Sequence, residues 1–375
     1  MDVQEKLAEL REKAPEELQG GLYAIEDLWD RKLWHQLTDA LLELSNIRES
    51  EPFRMDIFET VVLAFKDKIN QLKLIELGIK ATSVLKPEDA VVFMKQLTDG
   101  ALTEEATVFG EIEQARLQLQ IGNLKDAKKA LDEASKILDH FNSVEPRIYA
   151  AYYKASAKYH EAKAEFSSYY RTTLLYLSCI QLEDLSADEL YKEAYDISIA
   201  ALLGDIYNFG ELILHPILNA LDGTETEWLK SLLVAINIGD LAKFTDMTSK
   251  LNNVPILKNS LPFLQQKICL AALVETAFSR PPADRILDFE LIAQSCQIPV
   301  DQVEHLIMKA LSIKLIEGSI DQVSQTVTIS WIQPRILNIE QIGAMRDRLV
   351  SWDKTVSNVT AWVDSLGADL WAQQV

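Results

Sequence analysis

The stretch that decides the fold runs from residue 288 to residue 331, DFELIAQSCQIPVDQVEHLIMKALSIKLIEGSIDQVSQTVTISW. Along it the hydrophobic period switches from that of a helix to that of a strand. Phe289, Ile292, Ala293 and Cys296 recur at helical spacing, with Asp288 standing where an N-cap belongs. Gln297-Ile298-Pro299 breaks the pattern, since proline lacks the amide that a continuing helix needs. Val303, Leu306, Ile307, Ala310 and Leu311 form a second stripe, opened by Asp301 and Glu304, acids that suit the positive end of a helix. Then Val327, Ile329 and Trp331 alternate with Thr326, Thr328 and Ser330, as in a half-buried strand. Leu315 to Ile320 supplies a partner strand, with a turn around Asp321-Gln322. Helix, turn, helix and a two-stranded hairpin make a winged-helix arrangement.

Downstream, a heptad seam begins. Ile342, Leu349, Val356, Val363 and Leu370 fall seven apart, with Met345, Trp352, Val359 and Leu366 between them at the alternate three–four spacing. Every one is apolar, so a narrow stripe is expected to run along a helix of about 43 Å, suited to meeting other helices. Trp362 and Trp371 widen the stripe. Gly343 and Gly367 weaken the helix near its ends, so its ordered core is expected over Ala344 to Leu366. Two readings of the seam stand side by side: folding back over the chain's own domain, or a bundle with helices of other chains.

Upstream, nearly everything before residue 280 reads as helices with short breaks. The clearest unit is Thr103 to Leu138. Its turn is expected at Ile121-Gly122-Asn123-Leu124, with Ala115, Ala127, Ala130 and Ala134 letting two helices approach closely. It resembles a tetratricopeptide repeat without the usual tryptophan and proline landmarks. The corner recurs at Ile238-Gly239-Asp240-Leu241, and further helix pairs are expected at Tyr23 to Leu44, Met55 to Leu85 and Arg147 to Ile180. A right-handed stack of such pairs offers extended surfaces for binding proteins. Pro281-Pro282 ends the helical run.

The chain has 375 residues, enough for two or three domains with sizeable cores. No apolar run approaches the roughly 18 residues of a membrane span, and Met1-Asp2-Val3-Gln4-Glu5 reads as neither a signal nor a transit peptide. Cys179, Cys269 and Cys296 each sit in an apolar stretch and read as reduced core residues, which points to the cytoplasm and nucleus. A net charge of −20 argues against broad contact with nucleic acid or anionic membranes. The cluster Lys125, Lys128 and Lys129 reads as a solvated helix face. Asp301 and Glu304 give the second winged helix the wrong sign for phosphates.

Enzymatic chemistry finds no support. The sequence has no His-Glu-x-x-His, Gly-x-Ser-x-Gly, P-loop or Cys-x-x-Cys pattern. His35, His140, His160, His215 and His305 are scattered without ligand spacing, so neither a metal nor a cofactor is expected. His160-Glu161 is the nearest thing to an acid–base pair, but adjacent helical residues diverge by about 100°. His215, before Pro216, is expected to hydrogen-bond at a helix junction.

A mainly α chain in which a tetratricopeptide-like array runs into a winged helix and a long terminal helix resembles the PCI family. That domain is shared by the proteasome lid, the COP9 signalosome and translation initiation factor three. More specific stretches are Leu33-Trp34-His35-Gln36-Leu37, Tyr207-Asn208-Phe209-Gly210-Glu211-Leu212 with His215-Pro216, Met308-Lys309-Ala310-Leu311-Ser312, Gly318-Ser319-Ile320-Asp321 and Trp331-Ile332-Gln333-Pro334-Arg335. These look like a PCI-domain subunit of the 26S proteasome regulatory-particle lid.

The resemblance implies a non-catalytic scaffold in a hetero-oligomer, with other PCI subunits and the deubiquitinase-type subunits they hold as partners. It implies winged helices associating side by side and terminal helices gathered in a shared bundle, which favours the intermolecular seam. A signalosome or initiation-factor scaffold, or an RNA-associated PCI adaptor, is the alternative. The expected division is a repeat array over 1–200, a PCI domain over 201–335 (helical part 201–280, winged helix 283–335) and a bundle helix over 336–375. A second candidate contact lies on the wing, whose outer strand has no evident partner: Val323, Gln325, Thr326, Thr328 and Ser330.

Overall fold

A computed structural model of the chain describes residues 3–141, 145–252, 254–280, 285–334, 336 and 339–371. It forms two compact units, Met1–Asp205 and Ile206–Val375.

The first unit is helical. It begins with α1 (Val3–Lys13), α2 (Glu16–Asp30) and α3 (Trp34–Asn46). The expected helix pair from Met55 to Leu85 is less regular than its spacing suggests. A single α turn, α4 (Arg54–Ile57), passes into a π turn (Phe58–Val62) and a 3-10 turn (Leu63–Phe65) before α5 (Gln71–Thr82). These changes of winding keep Ile57, Phe58, Val61, Val62 and Phe65 all buried on one side, where Phe65 stacks on Trp34 and meets Trp29 edge-on. There follow α6 (Pro87–Asp99), α7 (Glu104–Ile121), α8 (Leu124–Leu138), α9 (Pro146–Ala162), α10 (Phe166–Cys179) and α11 (Ala187–Leu203), with neighbours packed pairwise. Residue 200 falls inside α11, and the unit closes just after it.

The α7–α8 corner is built as its sequence requires. Gly122 has φ +94°, and the amides of Gly122 and Asn123 donate back to Leu119 and Gln118, satisfying carbonyls at the helix end. Ala115, Ala127 and Ala134 are fully buried between the helices. Lys125, Lys128 and Lys129 are exposed.

The second unit opens with α12 (Gly210–Leu214) and a 3-10 turn (Pro216–Leu221). It continues through α13 (Glu227–Ile238), α14 (Leu241–Leu251), α15 (Pro255–Asn259) and α16 (Leu261–Ser279). The α13–α14 turn repeats the glycine corner, with Gly239 at φ +79°. A Cβ there would stand 2.5 Å from the Ala272 Cα, so Gly239 also lets the corner meet α16. α16 stops at Ser279; Pro281-Pro282 lies outside the described residues.

The winged helix follows: β1 (Ile286–Asp288), α17 (Phe289–Cys296), α18 (Val300–Ser312), β2 (Ile316–Asp321) and β3 (Thr326–Ile332). Gln297, at φ 53°, ends α17 in the left-handed conformation, and Pro299 precedes α18. Leu287, Phe289, Ile292, Val303, Ile307, Val327 and Ile329 share one core with α16. Cys269 and Cys296 meet there, each thiol donating to the other's backbone carbonyl, and burial pushes the Cys296 thiol up to about 12. All three cysteines are free thiols.

Three local expectations are corrected. The wing has three antiparallel strands in the order β1-β3-β2, because Ile286–Asp288 pairs with Thr326–Thr328. Asp288 therefore ends a strand and holds the N-cap position of α17 without a side-chain capping bond. Third, the pairing steps from Glu317–Trp331 to Gly318–Ile329, leaving Ser330 as an extra residue in a bulge. That residue reverses the alternation, so Ile332 turns inward while Trp331, expected inside, is 40% exposed.

Candidate protein interface

α19 (Ile339–Trp371) continues as one helix through both glycines, beyond the core expected from Ala344 to Leu366. An interior glycine costs a helix about 1 kcal/mol and does not by itself break it. At 1.5 Å per residue α19 is about 50 Å long. Ile342, Met345, Leu349, Trp352, Val356, Val359 and Val363 are between 42% and 67% exposed. Trp362, beside the seam, is exposed as well. Every described seam side chain is thus left largely open among the described residues. The side chains of Leu366, Leu370 and Trp371 lie outside the described residues.

An uncovered stripe of this kind is rare on a protein that works alone. Burying each such side chain contributes about 1.5–3 kcal/mol, so the stripe is a strong drive for association. Some of its polar neighbours bond back to the helix. Thr355, Thr360 and Ser365 donate to backbone carbonyls of the preceding turn, and Arg346 pairs with Asp347 at 2.8 Å. The apolar stripe runs between these groups and other exposed polar side chains such as Arg348, Asp353 and Lys354.

The wing offers a different surface from the one expected. β3 is the central strand, with Thr326 paired to Asp288 on one side and Asp321 on the other, and Thr328 to Ile286 and Ser319. Thr326 and Thr328 therefore present no open backbone edge; the open edges belong to β1 and β2. Thr328 and Ser330 sit on the exposed face, Thr326 is half-buried, and the Ser330 hydroxyl donates to the Glu317 carbonyl. Val323, at the loop tip, is 98% exposed, and Gln325 takes a left-handed φ of 51° that closes the loop. One Asp321 carboxylate oxygen accepts the amides of Val323 and Ser324, and the hydrogen bond from the Ser324 hydroxyl, with those from the amides, holds its pKa below the usual range. Gln322 donates to Glu304 at 3.1 Å, tying the loop to α18.

The candidate acid–base residues sit elsewhere. His160 hydrogen-bonds Glu165 at 2.8 Å rather than the adjacent Glu161. α9 ends at Ala162 and Ala164 takes a φ of 56°, which swings Glu165 back over the helix end. The His160 bond holds the Glu165 carboxyl below its usual range. The pair is tied to a helix terminus, where Lys163 also reaches Glu165 at 3.6 Å. His215 Nδ1 accepts the Ile217 amide at 3.2 Å and so caps the Pro216–Leu221 turn. Among the described residues no group of three or more His, Cys, Asp or Glu side chains is placed to hold a metal. No described helix is long and apolar enough to cross a membrane.

Helix pairs running into a winged helix with a three-stranded wing are the arrangement of the PCI class, and the PCI domain model matches residues 241–331. The model of PSD13 N-terminal repeats matches residues 21–233, and that of the Rpn9 C-terminal helix matches 335–367. The chain belongs to this PSD13/Rpn9 family of PCI-domain proteins. It is 45% identical to the Schizosaccharomyces pombe protein named "Probable 26S proteasome regulatory subunit rpn9", over 95% of this chain and 94% of that one. To the 26S proteasome regulatory subunit RPN9 of Saccharomyces cerevisiae it is 36% identical, over 97% of each chain. Likeness to the translation initiation factor 3 subunit M of Aspergillus terreus is partial, 25% identity over 48% of this chain and 40% of that protein.

Proposed function

We infer that this chain is a non-catalytic structural subunit of the lid of the 26S proteasome's 19S regulatory particle, supporting degradation of ubiquitinated proteins in cytoplasm and nucleus. Its terminal helix enters a bundle with helices of other PCI subunits. The exposed face of the wing and α18 add a second contact, and the assembly holds the deubiquitinase-type subunits in place. One observation carries this reading: the seven described seam side chains of α19 are all exposed on a helix about 50 Å long. Relatives matching nearly the whole chain are named as proteasome regulatory subunits, and one from Arabidopsis thaliana as a non-ATPase regulatory subunit. The non-catalytic part rests on the missing sequence motifs. Nucleic acid is a poor partner for a chain of net charge −20 with acids at the start of α18. The initiation-factor alternative has under half the chain behind it.

Replacing Leu349 and Val356 together by Asp tests the reading, because an assembled bundle would then have to bury unpaired charge. The double variant is expected to fold but to drop out of affinity-purified particles. Recovery with lid partners at the wild-type yield would contradict the assignment.

A further inference from the structure

The stretch Tyr207-Asn208-Phe209-Gly210 has no part in the seam or the wing, yet the second unit is built tightly around it. The Phe209 side chain is fully buried, and its amide donates to Asn237 Oδ1 at 3.2 Å. Asn208 Oδ1 accepts the Gly210 amide at 3.0 Å. Lys267, itself 1% exposed, places its ammonium 4.9 Å from the centre of the Phe209 ring and 5.6 Å from that of Tyr207. The corner is thus held from α13 and α16 at once.

The chain leaving the wing crosses this corner. The Gln333 amide donates to the Leu315 carbonyl at 2.9 Å, just beyond the end of β3. Gln333 and Pro334 then line a cleft with Tyr207, Asn208 and Asn237. Ile336 lies directly on Gly210: a Cβ at that glycine would stand 2.7 Å from the Ile336 Cβ, closer than side chains approach. Gly210 has no positive φ to explain its identity. Its place is explained by the space that Ile336 fills.

We propose that Gly210 and Ile336 form the root of α19, a seat that fixes where the bundle helix leaves the winged helix. Gly210 is a positioning residue for assembly and touches no partner. A helix rooted three residues before its first turn starts near the place where it must bind. Less freedom is then lost on association than for a helix on a loose tether. This inference rests on the reading of α19 as an assembly helix and adds to it the device that aims it.

The test compares full-length chains carrying Gly210→Ala or Ile336→Ala in competition with the wild type for incorporation into the particle. Leu349→Asp/Val356→Asp serves as the reference for loss of the seam. Ile336→Ala removes the packing without adding a clash, so it remains decisive if Gly210→Ala fails to fold. Hydrogen exchange at Gln333 is expected to quicken in the free Ile336→Ala chain while Leu306 and Ile307 in α18 stay unchanged. Incorporation is expected to fall at least threefold. Wild-type incorporation with a loosened Gln333 would overturn the seat while leaving the seam standing, provided the Asp reference is lost. Unchanged exchange at Gln333 would also overturn it. Normal incorporation of the Asp reference would mean that the underlying assignment of α19 has failed.

Discussion

The Phe289 amide donates to the Gln325 carbonyl at 2.9 Å, joining the first residue of α17 to the last residue of the wing loop. Together with the Ile329 amide bonded to Arg285 at 2.9 Å, it closes the wing on its second side. The hairpin is therefore complete within the chain and needs no neighbour to order it. Hydrogen exchange on the free chain should show slow amides at Val327 and Ile329, with little further slowing in the assembled particle. Fast exchange at Ile329 in the free chain would mean that β1 does not pair in solution.

Gly318 stands where the wing changes register, and a Cβ there would run into the Thr328 carbonyl oxygen. That oxygen is backbone in a central strand and has little room to yield. Gly318→Ala should destabilise the second unit by about 1–3 kcal/mol, the usual cost of overpacking. Ser319→Ala, at an exposed neighbouring position, should change stability by less than about 0.5 kcal/mol. Denaturant unfolding of the two variants provides the comparison, and equal midpoints would count against the bulge.

His215 supplies a pH dependence of known sign. Burial lowers its pKa from the ordinary 6.5, and capping the Ile217 amide requires Nδ1 without a proton. As pH falls below 6.5 the unfolded chain takes up the proton first. The stabilisation is therefore complete above that value and is lost progressively on the way down to the lower folded pKa. His215→Asn keeps a capping acceptor and removes the titration. Thermal unfolding at about pH 7.5 and about pH 5.5 should show the wild type losing ground to the variant at the lower pH. A constant gap between them would contradict this.

Features set by a strong local constraint were legible in the sequence. Gly122 and Gly239 mark their corners because a left-handed helix end followed by a new apolar stripe leaves little choice. The seam of α19 was legible because a heptad repeat specifies a helix whatever covers it. Features decided by a single residue out of phase were not. The extra Ser330 reverses Trp331 and Ile332, and no count by twos contains it. β1 is only three residues long and shares Asp288 with a helix start, so a capping reading absorbed it. Glu165 reaches His160 only because Ala164 adopts a left-handed φ that its own side chain does not favour. The seat of Ile336 on Gly210 joins positions more than a hundred residues apart, beyond any local pattern.

Met345 and Trp352, both on the seam and both readily oxidised, allow the central claim to be tested without mutation. Hydroxyl-radical footprinting of the purified chain and of the intact particle would read their accessibility directly. If the seam is covered by other chains, both residues should be labelled in the free protein and protected about tenfold or more in the particle. Equal labelling in the two states, or protection already present in the free chain, would contradict the assignment of α19 as the helix that joins this subunit to its neighbours.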